Sequence, residues 1–197
     1  MKILLTGFKP FNGENINPST DLLNLIDSNY NGHEIHKLEL DVVYEKDALN
    51  TINKIKEINP DLVLSIGQAG GRSHVTFEYF GLNMQSASIP DNDGKIHILN
   101  EISNSDLAYK TNINVKKLVD NVDNNLFKIS FHAGTFVCND LYFNLLDYIY
   151  KNKLNIKCGF IHVPYLKSQT LNKPDYIPHM ELESMLTVLK QIINNID

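Results

Sequence analysis

Short runs of Ile, Leu and Val recur along the chain, each separated from the next by a stretch of helical periodicity. That alternation, more than any other feature, limits what the chain can fold into, because it builds a mainly parallel sheet covered by helices on both faces. The expectation is an α/β class chain, a single-domain α/β/α sandwich over residues 1–197. Its first strand is read at Lys2–Thr6, followed by a loop carrying Phe8, Pro10, Phe11 and Gly13. Pro18 suits the first position of a helix running to about Ser28. A strand near Glu34–Val43, a helix over Lys46–Ile58 stopped by Pro60, and a buried strand Leu62–Ile66 come next. Gly67-Gln68-Ala69-Gly70-Gly71 then sits at a strand carboxyl end, where open α/β sheets usually build their sites. Val75–Ser88 alternates poorly and Ile89–Gly94 is a dense turn signal, so this section is read as irregular strands and a long loop. A helix near Val115–Val122, strands at Lys128–Phe131 and Ile156–Val163, a helix from Asp140 and a last helix near Glu181–Ile193 complete the pattern. Pro164, Pro174 and Pro178 mark the segment before that last helix as non-helical.

A chain of 197 residues that is 43% hydrophobic can bury about 70% of its unfolded surface in one core. A net charge of −5 without a Lys/Arg cluster gives no footprint for nucleic acid or an anionic membrane surface. No apolar run reaches the roughly 18 residues of a membrane span. Two cysteines and no recognisable leader point to a reducing, cytoplasmic compartment.

One of those cysteines, Cys138, ends the run Ser130-Phe131-His132-Ala133-Gly134-Thr135-Phe136-Val137-Cys138-Asn139, where a small-residue turn meets a helix whose apolar stripe is Tyr142, Leu145, Leu146 and Ile149. At a helix start, unpaired N–H groups and the positive dipole end favour a thiolate over the ordinary thiol of pKa about 8.5, while Asp140 in the same turn opposes it. A buried cysteine acting as a small hydrophobe fits the same position. A thiol nucleophile also needs a base to take its proton. Of seven histidines, His162 lies at the carboxyl end of a buried strand, and would open on the same edge as Cys138 if that strand neighbours Lys128–Phe131. His132 could equally cap the turn, and His33, His36, His74, His97 and His179 are read as solvated. Glu78, a lone carboxylate among aromatic residues, could orient the imidazole or could simply face solvent. Phe8 and Phe11 could clamp a flat apolar ring or merely pack their loop. Gly67–Arg72 has neither dinucleotide nor P-loop spacing. No metal motif is present, and Cys158 falls within a strand.

Taken in order, Thr6-Gly7-Phe8-Lys9-Pro10-Phe11, Gly67-Gln68-Ala69-Gly70-Gly71-Arg72, Ile89-Pro90-Asp91-Asn92, the Ala133–Asn139 run and Gly159-Phe160-Ile161-His162-Val163-Pro164-Tyr165 resemble the pyroglutamyl peptidase I family, also called pyrrolidone-carboxylate peptidases, essentially end to end. The resemblance implies a cytoplasmic cysteine exopeptidase on a phosphorylase/hydrolase-like sandwich, commonly a homotetramer, that removes N-terminal pyroglutamate from peptides and needs no cofactor or metal. It assigns the nucleophile to Cys138, the base to His162 and the third, acidic member to Glu78. It also implies a lactam pocket at Phe8 and Phe11 lined by Gln68, Ile89, Phe136 and Val137, with backbone groups around Gln68 and Val137 meeting the ring N–H and C=O. The chain departs from the family pattern at Tyr79, Phe80 and Gly81 after Glu78, and at Val42, Ser86 and His132. Two other readings stand beside this one: a pyroglutamyl-peptide-binding homologue impaired in catalysis, and nucleoside phosphorolysis or hydrolysis on a similar sandwich.

Overall fold

A computed structural model describes residues 1–196. Strands β1 (Lys2–Phe8), β3 (His33–Leu40), β4 (Leu62–Gln68) and β8 (Lys157–Val163) form a parallel set in the order β3, β1, β4, β8. The short β2 (Asn29–Tyr30) closes one edge antiparallel to β3. Beyond β8 comes β5 (Val75–Leu82), running antiparallel to it; β6 (Ala108–Lys110) pairs antiparallel and β7 (Phe127–His132) parallel with β5. The sheet is therefore mixed but mostly parallel.

Alternation along these strands divides the core in two. Ile3, Leu5, Leu62, Leu64, Ile66, Ile161 and Val163 face one layer, packed under helices α1 (Pro18–Leu25), α3 (Val115–Asn121) and α6 (Leu182–Asn195). Leu4, Val63, Cys158 and Phe160 face the other, under α2 (Lys46–Ile58) and α4 (Val137–Lys151). Each such side chain is essentially fully buried, a contribution of about 1.5–3 kcal/mol apiece before entropy is charged against it. The expected α/β/α sandwich is what forms.

Local signals account for most helix ends. Asn17 caps α1, its side chain accepting from the Ser19 N–H at 3.1 Å, with Pro18 in the first position. Asn59 ends α2 in the left-handed conformation (φ 47°), immediately before Pro60. Three expectations need correction. Val75–Leu82 is a regular strand inside the sheet, not an irregular excursion. The strand carrying His162 does not neighbour β7, since β5 lies between them. The proline-marked segment holds one turn of helix, α5 (Lys167–Thr170), where none was expected.

Candidate active site

Helix α4 starts at Val137 rather than Asp140, so Cys138 is its second residue. Phe136 is the N-cap and offers no side-chain acceptor, which leaves the Val137 and Cys138 N–H groups at the open helix end. The thiol packs against β4 at Gly67. A Cβ there would lie 2.8 Å from Cys138 Sγ and 3.0 Å from the Phe160 ring, so only glycine allows the approach. Gly67 is the parallel register partner of His162, and paired residues point the same way, so imidazole and thiol lie on one face of the sheet and line the same cavity. Gly67→Ala is expected to push the sulfur off this position and reduce kcat by about tenfold to a hundredfold with little change in overall fold, read by steady-state kinetics and circular dichroism.

Glu78 arrives from the antiparallel neighbour. Thr76 is opposite His162 in the β5–β8 register, which puts Glu78 diagonally across on the same face. The carboxylate is completely buried, and its Oε1 lies 2.8 Å from His162 Nδ1. Arg72 donates to the same oxygen and to Thr76 Oγ1, and Thr76 Oγ1 adds a 3.2 Å bond to Glu78. Burial works to raise the Glu78 carboxyl, but the His162 hydrogen bond and charge and the Arg72 guanidinium overcome it and hold the group below its ordinary range. An ionised Glu78 only accepts, so Nδ1 of His162 carries a proton and donates it, which leaves Nε2 as the nitrogen not engaged by Glu78. The solvent-facing alternative for Glu78 is excluded by its burial.

Cys138 differs from expectation. Burial, then the negative charges of Glu78 and Asp47, push its thiol up to about 12, against which Arg72 and the thiol's contact with its own N–H are the smaller influences. Asp140 spends its charge elsewhere, accepting from the Glu45 N–H at 2.8 Å and Gln85 Nε2 at 2.7 Å. These surroundings favour the thiol form of Cys138 over the thiolate.

A cavity of about 230 Å³ opens over this group at the carboxyl ends of β1, β4 and β8, lined by Phe8, Phe11, Gln68, Phe136, Cys138 and His162 among others. Phe11 stacks on Phe136 with ring centres 5.9 Å apart, and Phe8 lies against Phe160 at 6.4 Å. Of the expected lining residues, Ile89 is half-buried outside the cavity wall and the Val137 side chain is in the core. Val42 does line it, in the left-handed region (φ 64°), a conformation that costs a β-branched residue about 1–3 kcal/mol. Three buried carboxylates clamp that loop by its N–H groups: Asp47 accepts from Val43 at 2.9 Å, Asp91 from Tyr44 at 3.1 Å and Asp140 from Glu45 at 2.8 Å.

The sequence reading missed Arg72, although it quoted the Gly67–Arg72 run that contains it. His97 is also misjudged as solvated: its ring meets Tyr44 edge-on at 4.7 Å and its Nε2 is buried. His132 is exposed, outside the cavity, with its Nδ1 accepting from the Gly134 N–H at 3.2 Å, so it does cap the turn. Cys158 is fully buried on β8, its thiol raised by burial. Among the described residues no group of three or more His, Cys, Asp or Glu could hold a metal ion, and no helix is long and apolar enough to cross a membrane.

The whole chain, residues 1–197, matches the family model described as pyroglutamyl peptidase. A pyrrolidone-carboxylate peptidase of Thermoanaerobacter sp. (strain X514) is 47% identical over 98% of this chain and 96% of its own length. Among solved structures, pyroglutamyl peptidase I from Bacillus amyloliquefaciens superposes with a TM-score of 0.91 at 34% identity, covering 98% of this chain and 94% of that one. Pyrrolidone carboxyl peptidase from Thermococcus litoralis does so with a TM-score of 0.93 at 30% identity, covering 99% and 92%.

Proposed function

The chain belongs to the pyroglutamyl peptidase family of cysteine peptidases, and from that premise we propose that it removes N-terminal pyroglutamate from peptides with Cys138 as nucleophile, His162 as base and Glu78 as the group that orients His162. The observation that supports the assignment is that Cys138, against Gly67, and His162, in register with Gly67, line one cavity while Glu78 holds the imidazole through Nδ1.

Because burial and nearby negative charge favour the thiol form, the first step is transfer of its proton to His162 Nε2, giving a thiolate and an imidazolium that Glu78 stabilises. The thiolate attacks the pyroglutamyl carbonyl carbon, and the oxyanion is met by the Val137 and Cys138 N–H groups at the helix start. Collapse breaks the C–N bond while His162 returns its proton to the departing amine, leaving a thioester on Cys138. Water, deprotonated by His162, attacks that thioester; the thiolate leaves and is reprotonated as pyroglutamate is released.

Selectivity follows from the walls. A lactam ring brings no charge between Phe8, Phe11 and Phe136, whereas a free N-terminal glutamine or glutamate would carry an ammonium into an apolar slot at a cost of several kcal/mol. The expected result is release of a chromogenic amine from a pyroglutamyl amide but not from the corresponding glutaminyl amide, abolished by a thiol-alkylating reagent. Binding of the pyroglutamyl amide without turnover would sink the catalytic reading.

A further inference from the structure

Past β8 the chain crosses the open end of the sheet and is fastened there by contacts that no step of the reaction uses. The Tyr165 ring covers Gly70. Lys173 pairs with Glu14 at 2.7 Å, its ammonium 4.9 Å from the centre of the Tyr165 ring. Between them lies Gln169, buried at 8% exposure. Gln169 Oε1 accepts the Leu166 N–H at 3.0 Å, and since a backbone N–H can only donate, this contact fixes which end of the Gln169 amide is oxygen. Its Nε2 therefore donates, to Gln68 Oε1 at 2.8 Å and to Glu14 Oε2 and the Ile16 carbonyl at 3.3 Å each. The polarity passes on. Gln68 is obliged to present oxygen to Gln169, which leaves its Nε2, and only its Nε2, for the cavity that Gln68 borders beside Phe11 and Asn17. Among the described residues that Nε2 makes no hydrogen bond to protein, nor is it a buried orphan.

We propose that Gln169 is a positioning residue that sets the direction of the Gln68 amide, so that Gln68 Nε2 donates a hydrogen bond to the ring carbonyl oxygen of the pyroglutamyl group. The inference rests on the pyroglutamyl reading above and adds a side-chain donor to the backbone group expected at the ring carbonyl. Strand alternation sends the Gln68 side chain to the face opposite Gly67, hence away from the thiol, so its amide serves the ring rather than the scissile carbonyl. A donor here also separates a lactam from a prolyl ring, which has the same size and no ring carbonyl to accept the bond.

Steady-state kinetics on a pyroglutamyl amide and inhibition by 2-pyrrolidinone, the bare lactam ring, test this on the intact protein. Gln169→Leu and Gln68→Leu are each expected to raise KM and the inhibition constant about tenfold, with kcat changed less than threefold. The double variant should be no worse than Gln68→Leu alone, because both remove one and the same bond. An unchanged KM and inhibition constant in Gln169→Leu, a fall confined to kcat, or single effects that multiply in the double variant would each overturn it. If Gln169→Leu does not fold, Gln169→Glu gives the reading: a carboxylate cannot donate to Gln68 Oε1 and draws the Gln68 amide nitrogen toward itself, so KM should rise at least tenfold, and an unaltered KM overturns the proposal. A wild-type protein inactive on the pyroglutamyl amide refutes the functional reading instead, whereas an active wild type with unaffected Gln169 variants refutes only this inference.

Discussion

Cys138→Ser is expected to lower kcat/KM on a pyroglutamyl amide by at least about 10⁴-fold while leaving the circular dichroism spectrum and the unfolding midpoint close to those of the parent protein. Losing the nucleophile of a comparable hydrolase costs about 10⁶ in kcat, with residual turnover coming from binding and the oxyanion donors alone. The surroundings make the swap severe here. Burial and the Glu78 and Asp47 charges already hold the thiol at about 12, and a hydroxyl, intrinsically much less acidic, is disfavoured as an anion by the same environment. The fold should tolerate the change, since serine is smaller than cysteine and Cys138 occupies the first turn of α4 against the bare backbone of Gly67. Turnover within tenfold of wild type would remove Cys138 from the nucleophile's role.

Glu78→Gln is the second large effect, with an expected fall in kcat of roughly 10³-fold or more; the equivalent carboxylate-to-amide change in a Ser-His-Asp triad costs about 10⁴. Shape is nearly conserved, so the loss isolates the charge. The hydrogen bonds from His162, Arg72 and Thr76 to the Glu78 carboxylate converge on Oε1, where a glutamine carbonyl could still accept them. In the proposed mechanism, what disappears is the negative charge opposite the imidazolium formed when His162 takes the thiol proton. Arg72 then stands beside that imidazolium with nothing between them to offset two positive charges. Because the effect falls on a charge-separated step, KM should move far less than kcat; a fall shared equally with KM, or a variant within tenfold of wild type, would argue that Glu78 is structural.

How much of this was legible from residues alone follows from where each signal resides. Helix α2 and strand β4 were readable to within a residue or two because periodicity, Asn59 and Pro60 are local. Strand β5 was not, since its two halves face different neighbours: Val75 and Phe77 sit in the core between β8 and β7, whereas Gly81 exists for helix α4, where a Cβ would lie 2.9 Å from Phe143 Cα. A strand with such unlike environments shows no clean alternation. Helix α5 is a single turn organised by the Leu166–Gln169 contact among prolines that rightly signal a break. Arg72 looked like the end of a glycine loop because its partner, Glu78, acquires its position only through sheet pairing. The clamp on the Val42 loop draws on Asp91 and Asp140, residues far along the chain, and nothing near Val42 announces it. By contrast Cys138, His162 and Glu78 could be singled out as candidates from residue type and strand ends, and the structure brings Glu78 onto His162 through β5 rather than through the strand neighbourhood supposed for β7 and β8.

That placement of β5 makes activity a gauge of folding order. Only two residue pairs, Thr76 with His162 and Phe77 with Ile161, join β5 to β8. A slip of one residue there would turn Glu78 to the opposite face and leave the imidazole unheld. Glu78 and His162 are 84 positions apart, so their meeting waits on the slow, entropically costly closure of a long loop rather than on local collapse. In a refolding experiment, secondary structure and compactness should therefore return before peptidase activity does, and the lag between them times the moment at which the antiparallel strand finds its register.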